Sequence, residues 1–347
     1  MRGESMDTDN NRQEMQEIWK KFNKQGGTGS VKTAPELTPE EEKKRNRKQI
    51  GFYLLITFAL TYGTEIFGIM PMAGNMDAEQ AYRVQGMISS VMFLPAAGAL
   101  LTLLLTKERL TARSLMLTVN LKKDLKYYGL AWFGFVLLIL FGAALYFVIF
   151  RDQFDAGLGY MKALTDAQGV ETTEAQLSQA VVMQLVMGAV LAPFANLLNC
   201  FGEEWGWRGF LLPRMLKQFK VVPALLLCGL IWGLWHAPLT ILGHNYGVGY
   251  AGYPVTGILA MCLFCTAIGI ILSYVTIKTK SCIPAIMGHG TLNGFASAGI
   301  LFTSVDHPYN VFLGPTPTGL IGGAGFLVLA GVLLYLLYKE EKESQPG

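Results

Sequence analysis

Residues 254–277 read PVTGILAMCLFCTAIGIILSYVTI, 24 positions without one Asp, Glu, Lys or Arg. About 20 apolar residues in a helix cross a hydrocarbon core of about 30 Å. The stretch is apolar on every face, so it predicts a membrane-spanning helix. Outward from it, similar runs occur at about 50–71, 84–106, 127–150, 179–201, 221–243, 282–302 and 318–338. Backbone groups in lipid must bond within their own segment, which makes these runs helices. The expected fold is therefore all-α, a polytopic protein of about eight transmembrane helices in the cell membrane. Composition agrees. Of 347 residues, 52% are hydrophobic and 15% charged, and the mean hydropathy is +0.36, whereas soluble domains carry about 25% charge. An ordinary soluble enzyme, a disordered chain and a nucleic-acid-binding protein are all excluded. A transmembrane barrel would need strands of about ten residues with alternating polarity, which are absent.

The basic residues orient the helices. Segments 1–49, 107–126, 202–220, 278–281 and 339–347 carry 25 of the 28 Lys and Arg; the alternate loops hold only Arg83, Arg151 and Lys162. The positive-inside rule then places both termini in the cytoplasm. Residues 1–48 are expected to be a flexible cytoplasmic tail, 49–338 the transmembrane domain, and 339–347 a second cytoplasmic tail. The first tail shows no cleavable signal peptide. Within it Met15, Ile18, Trp19 and Phe22 form an apolar stripe beside Lys20, Lys21 and Lys24, either a short membrane-surface helix or a chance pattern in a solvated tail. Residues 151–178 form an acidic external loop. Five cysteines without paired zinc spacing argue against a disulfide framework.

An ionisable residue inside a span is a functional hypothesis by default. Here these are Glu65, Glu203, Glu204, His236 and His289, with the strongly polar Asn293 one turn beyond the last. In Glu203-Glu204-Trp205-Gly206-Trp207-Arg208, Glu204 and Arg208 stand at i, i+4, the favoured order for an acid and its base. Arg208 can hold Glu204 ionised while Glu203 points elsewhere, and a carboxylate in an apolar site suits general-base work. The bland alternative is a charged cap at the membrane border. Trp232 and His236 share a face just before Pro238, which favours a kink; the alternative is a histidine bonded to a neighbouring carbonyl. His289 and Asn293 share a face flanked by Gly288, Gly290 and Gly294, which admit a close helix. They present two donors able to stabilise an oxyanion, or else polar glue between helices. Together the three sites supply a base, a second base or orienter, and two donors.

These residues resemble the CPBP intramembrane proteases, which include the type II CAAX prenyl endopeptidases and bacteriocin-immunity homologues. The family pattern Glu-Glu-x3-Arg, Phe-x3-His and His-x3-Asn appears as Glu203-Glu204-x3-Arg208, Trp232-x3-His236 and His289-x3-Asn293, over roughly 180–300. Trp232 departs from the usual Phe, which implies a changed pocket wall. The resemblance implies a glutamate-dependent endopeptidase acting on a membrane-tethered peptide or protein, of the prenylated CAAX type in part of the family. Glu203 and His236 would activate water, His289 and Asn293 would form the oxyanion hole, and Glu204 and Arg208 would orient the first helix. No cofactor is required. A zinc held by Glu203, His236 and His289 is chemically open, as is a non-catalytic scaffold or immunity partner. A transporter fits less well, since no repeated halves are visible. His-Glu-x2-His, an intramembrane Asp and Gly-x-Ser-x-Gly are missing, which removes the zincin, aspartyl and serine-elbow classes.

Depth poses a condition. Glu203 falls at the border of its predicted span, but His236 lies about 22 Å along its own. Contact requires the fourth helix to run on through Phe210, Leu211 and Leu212. The expected result is one cavity open toward the cytoplasm. Glu65 is expected near the outer end of the first span, away from the motifs and reaching the interface or another helix. Cys262 and Cys265 are expected to pack, and His244 and His307 to be solvated in external loops.

Overall fold

A computed structural model describes residues 38–74, 78–108, 111 and 115–344. The apolar stripe at 15–22 lies outside the described residues. Apart from two isolated bridges, Leu117–Ser281 and Phe154–Thr303, the regular secondary structure of the described residues is helical. Helix α1 (Pro39–Gly63) opens on a capping box in which Thr38 and Glu41 exchange hydrogen bonds, satisfying donors a helix start leaves free. It widens into a π-helical stretch, Thr64–Ile69. There follow α2 (Ala78–Val91), α3 (Leu94–Leu105), α4 (Leu121–Gly129) running through a π turn into α5 (Phe135–Ile149), α6 (Gly159–Ala167) and α7 (Glu174–Val190). Among the described residues, four helical runs are long and apolar enough to cross a membrane: Glu40–Met72, Glu79–Leu105, Leu121–Ile149 and Val255–Thr279. They coincide with the first, second, third and sixth runs read from the sequence, and the protein is a multi-pass membrane protein.

Of the remaining runs the last forms one continuous helix that starts at Ala324; the others are interrupted, and proline explains the two breaks that matter. The predicted fourth run, 179–201, divides after α7. A single turn (Ala192–Ala195) holds Pro193, and the helix resumes as α8 (Leu197–Glu204), a π stretch (Trp205–Leu211) and α9 (Leu212–Gln218). The predicted fifth run gives α10 (Val221–Trp235), which turns at His236 into α11 (Ala237–Ile241), with Pro238 inside it. Proline lacks the N–H that would bond the carbonyl four residues back. For Pro193 that carbonyl is Ala189, and Trp132 Nε1 donates to it at 2.7 Å. For Pro238 it is Leu234, and the Tyr62 hydroxyl donates to it at 2.6 Å. Each break is thus closed by an aromatic donor from an earlier helix, the compensation that an apolar surrounding demands. Beyond them lie α12 (Val255–Thr279), α13 (Ile283–Phe295), a 3-10 stretch to Phe302, and α14 (Ala324–Glu343).

One end of the bundle is ionic. Lys217 on α9 pairs with Glu42 on α1 at 2.8 Å, and Lys278 on α12 with Glu340 on α14 at 2.5 Å. Arg214 bonds Glu108 and Gln49, and Glu341 accepts from the Val221 N–H at the start of α10. The segments rich in basic residues therefore gather at a single end. Arg208 is the exception, and it corrects the sequence reading that placed it in a cytoplasmic segment: it lies in the buried π stretch, only 3% exposed. Burial by itself would raise the Glu108 carboxyl, but the Arg214 charge and the Gln49 hydrogen bond outweigh it and hold the group below the usual carboxylate range. A carboxyl held low stabilises the fold above its ordinary value, and that contribution is lost as pH falls.

Two variants test these supports by thermal unfolding in detergent. Tyr62→Phe leaves the Leu234 carbonyl unpaired and should cost about 1–3 kcal/mol. Glu108→Gln should cost about 2 kcal/mol at neutral pH, and its deficit relative to the unchanged protein should shrink as the solution is acidified through the carboxylate range.

Candidate active site

The helical run α8–α9 and helix α10 form a hairpin about Phe219 and Lys220. Glu203 stands 15 residues before Gln218 and His236 stands 15 residues after Val221, so both sit about 22 Å from the turn. Continuation of the helix to Gln218 removes the depth mismatch that a border at residue 201 created. Gly206 sets how closely this run approaches α3: a Cβ there would fall 2.5 Å from the Pro95 side chain and 2.7 Å from its carbonyl oxygen. On the other side, a Cβ on Gly294 of α13 would meet the Ala192 Cβ at 2.0 Å. Small residues thus let the run that carries Glu203 and Glu204 pack closely on α3, and let α13 pack closely on the Ala192–Ala195 turn.

Glu204 is fully buried, and its Oε1 accepts from Arg208 Nη1 at 2.8 Å and pairs with His289 Nδ1 at 2.9 Å. The Arg208 guanidinium lies 4.3 Å from the Trp232 ring centre, a cation–π contact. Trp232 Nε1 in turn donates to Glu203 Oε2 at 2.8 Å. His289, Glu204, Arg208, Trp232 and Glu203 form one continuous chain of contacts across α13, α8 and α10. His236 Nδ1 lies 2.9 Å from the Trp232 carbonyl oxygen. That oxygen only accepts, so Nδ1 carries the hydrogen and the neutral ring keeps its lone pair on Nε2. Glu203 Oε1 takes no hydrogen bond among the described residues, so a carboxylate oxygen and an imidazole nitrogen are both available to a water. Among the described residues no three of His, Cys, Asp and Glu are grouped to hold a metal ion.

Several placements differ from expectation. Asn293 is exposed rather than buried with His289, and its amide nitrogen lies 3.7 Å from Cys200 Sγ. Cys265 does more than pack, with Sγ 3.8 Å from His236 Nδ1. His244 is exposed, as expected of a loop residue, but its ring lies parallel to that of His236 with centres 6.2 Å apart. Glu65 does not reach an interface; it is wholly buried with no hydrogen-bond partner. Gly202–Leu212 and Ala267–Ser273, between the cluster and the ionic end, are buried throughout. The exposed neighbours of the cluster, Asn293 and His244, lie on its other side, so the expected opening toward the ionic end is not what the packing shows. Trp232 as donor to Glu203 was also not anticipated. Its signal is chemical: Trp has an N–H where Phe has none.

The matching of known families falls on this same region. Residues 184–295 match the family model described as type II CAAX prenyl endopeptidase Rce1-like. This segment is similar to the Rce1-like family. The stretch runs from α7 to the end of α13 and includes Glu203, Glu204, Arg208, Trp232, His236, His289 and Asn293. A protein named CAAX prenyl protease 2 from Methanococcus maripaludis is 32% identical over 101 residues. That match covers 29% of this chain and 37% of the relative, so the chain spans little more than a third of the relative's length. Glu65 lies outside the Rce1-like segment.

The contact chain makes a specific forecast. Trp232→Phe keeps the ring over Arg208 but removes the donor to Glu203. The loss of one hydrogen bond to a charged group corresponds to about 1.5–3 kcal/mol. The variant should be less stable to heat by that order while still folded, and an unchanged melting temperature would show that the indole N–H does not hold Glu203.

Proposed function

We propose that the protein is an intramembrane, glutamate-dependent endopeptidase that hydrolyses a peptide bond of a membrane-tethered substrate, with the prenylated CAAX class as the substrate suggested by the relative's name. The observation that carries this reading is the division of labour between adjacent glutamates. Glu204 Oε1 is tied to both Arg208 and His289, with its other oxygen wholly buried, whereas Glu203 is held on one oxygen by the Trp232 N–H alone, four residues before His236, and keeps Oε1 for a water. In the proposed reaction Glu203 Oε1 accepts a proton from water, and His236 Nε2 helps to orient it. The water oxygen attacks the scissile carbonyl carbon. His289, held by Glu204, and Asn293 donate to the oxyanion that forms, the kind of pre-aimed stabilisation that is strongest where bulk water is excluded. Arg208 positions Glu204 and contacts the wall that Trp232 provides.

The same reading includes the topology. Eight crossings are built from α1, α2–α3, α4–α5, α7–α9, α10–α11, α12, α13 and α14. Both termini are cytoplasmic, residues 1–48 and 339–347 are tails, and 49–338 is the transmembrane domain in the cell membrane. The convergence of basic segments at one ionic end supports this orientation.

Purified Glu203→Ala should abolish cleavage of a lipidated, membrane-tethered peptide, a loss of at least about 100-fold, with the melting temperature little changed. Cleavage at the unaltered rate would rule the mechanism out.

A further inference from the structure

The first helix contributes an acid that none of the three motifs contains. Glu65 is 0% exposed, and both its carboxyl oxygens are buried without a hydrogen-bond partner. An unpaired carboxylate there would face a desolvation cost of several kcal/mol, so the side chain carries its proton. Its position follows from two bonds one turn earlier. Trp235 Nε1 donates to Thr61 Oγ1 at 2.7 Å, and Tyr62 donates to the Leu234 carbonyl. One further turn along both helices sets Glu65 beside the His236–Thr240 turn, and the π stretch that carries it packs on α11. The backbone there is π-helical, a widened turn found often at functional positions. Two carboxyl groups of different environment are thus tied to the His236 turn: Glu203 hydrogen-bonded by Trp232, four residues before it, and Glu65 unpartnered in the π stretch that packs on α11 just after it. Pairs of this kind divide acid and base roles.

Resting on the protease reading above, we propose that Glu65 is the proton donor of the site, working opposite Glu203. Glu203 takes a proton from water as the water oxygen bonds to the carbonyl carbon. When the carbon–nitrogen bond breaks, the departing nitrogen keeps the electron pair and receives the Glu65 proton. The proton held by Glu203 then returns to Glu65, so one water is consumed and both carboxyls end as they began.

The test uses full-length protein in detergent, with Glu65→Gln, Glu65→Leu and Glu65→Asp. Glu65→Gln keeps the shape and Glu65→Leu removes a buried polar group, so both should melt at or above the unaltered temperature. Turnover should fall about 100-fold in both, with KM within twofold, and Glu65→Asp should recover part of it. Independently of activity, the infrared spectrum at neutral pH should contain a protonated-carboxyl stretch that Glu65→Gln removes and that shifts in Glu203→Gln. Full turnover in Glu65→Gln, or the absence of that band, would overturn the proposal. Full turnover in Glu65→Gln together with an inactive Glu203→Ala would remove Glu65 alone and leave the protease reading in place. An active Glu203→Ala would remove the protease reading itself.

Discussion

The buried pairing of Glu204 with Arg208 and His289 is the interaction on which the rest of this protein depends. A carboxylate, a guanidinium and an imidazole are each costly in an apolar bundle unless paired. Here Glu204 Oε1, Arg208 and His289 offset much of that cost for one another, while Glu204 Oε2 stays without a partner. Because Glu204 and Arg208 lie on one helix and His289 on another, the pairing also fixes the spacing of α8 and α13. Arg208 extends the arrangement by lying on Trp232, and Trp232 extends it again by donating to Glu203. Glu203 is therefore positioned at the end of a chain of contacts that begins at this buried pairing.

Such a site needs helices that break at chosen depths, and breaks expose backbone. The two prolines nearest the site free the carbonyls of Ala189 and Leu234, and Trp132 and Tyr62 cover them. The consequence reaches function. The turn closed by Tyr62 carries His236, and the turn closed by Trp132 stands where Ala192 and Pro193 meet α13. Side chains from helices outside the Rce1-like segment thus complete helices inside it, which gives α1 and the α4–α5 run a role beyond filling the membrane.

Much of this was legible in the residues, though unevenly. Runs such as 254–277 admit one physical reading, because a helix apolar on all faces has no other stable setting. The Glu204–Arg208 pair could be read from i, i+4 spacing alone. The continuation of the fourth helix was legible only as a condition: hydropathy falls where Glu203, Glu204 and Arg208 enter, so a scale that counts charge as exposure ends the span too soon. Glu65 was misplaced although the information was present. It lies about 15 residues into its run, the same depth as His236 in its own, and equal depth should have placed both in one layer. Trp232 was recognised as a wall but not as a donor, since spacing shows which residues share a face and not which atoms face each other. The exposure of Asn293 and the parallel placement of His244 and His236 depend on loop paths that local pattern does not encode.

The central claim is that Glu203 directs a water onto the scissile carbonyl without forming a bond to it. Single-turnover cleavage of a membrane-tethered peptide in oxygen-18 water, with enzyme in excess, addresses this most directly. The account predicts one oxygen-18 in the new carboxylate of the first product formed and none in the Glu203 side chain. First-turnover product without the label, with oxygen-18 appearing in Glu203, would reveal a covalent acyl intermediate and contradict it.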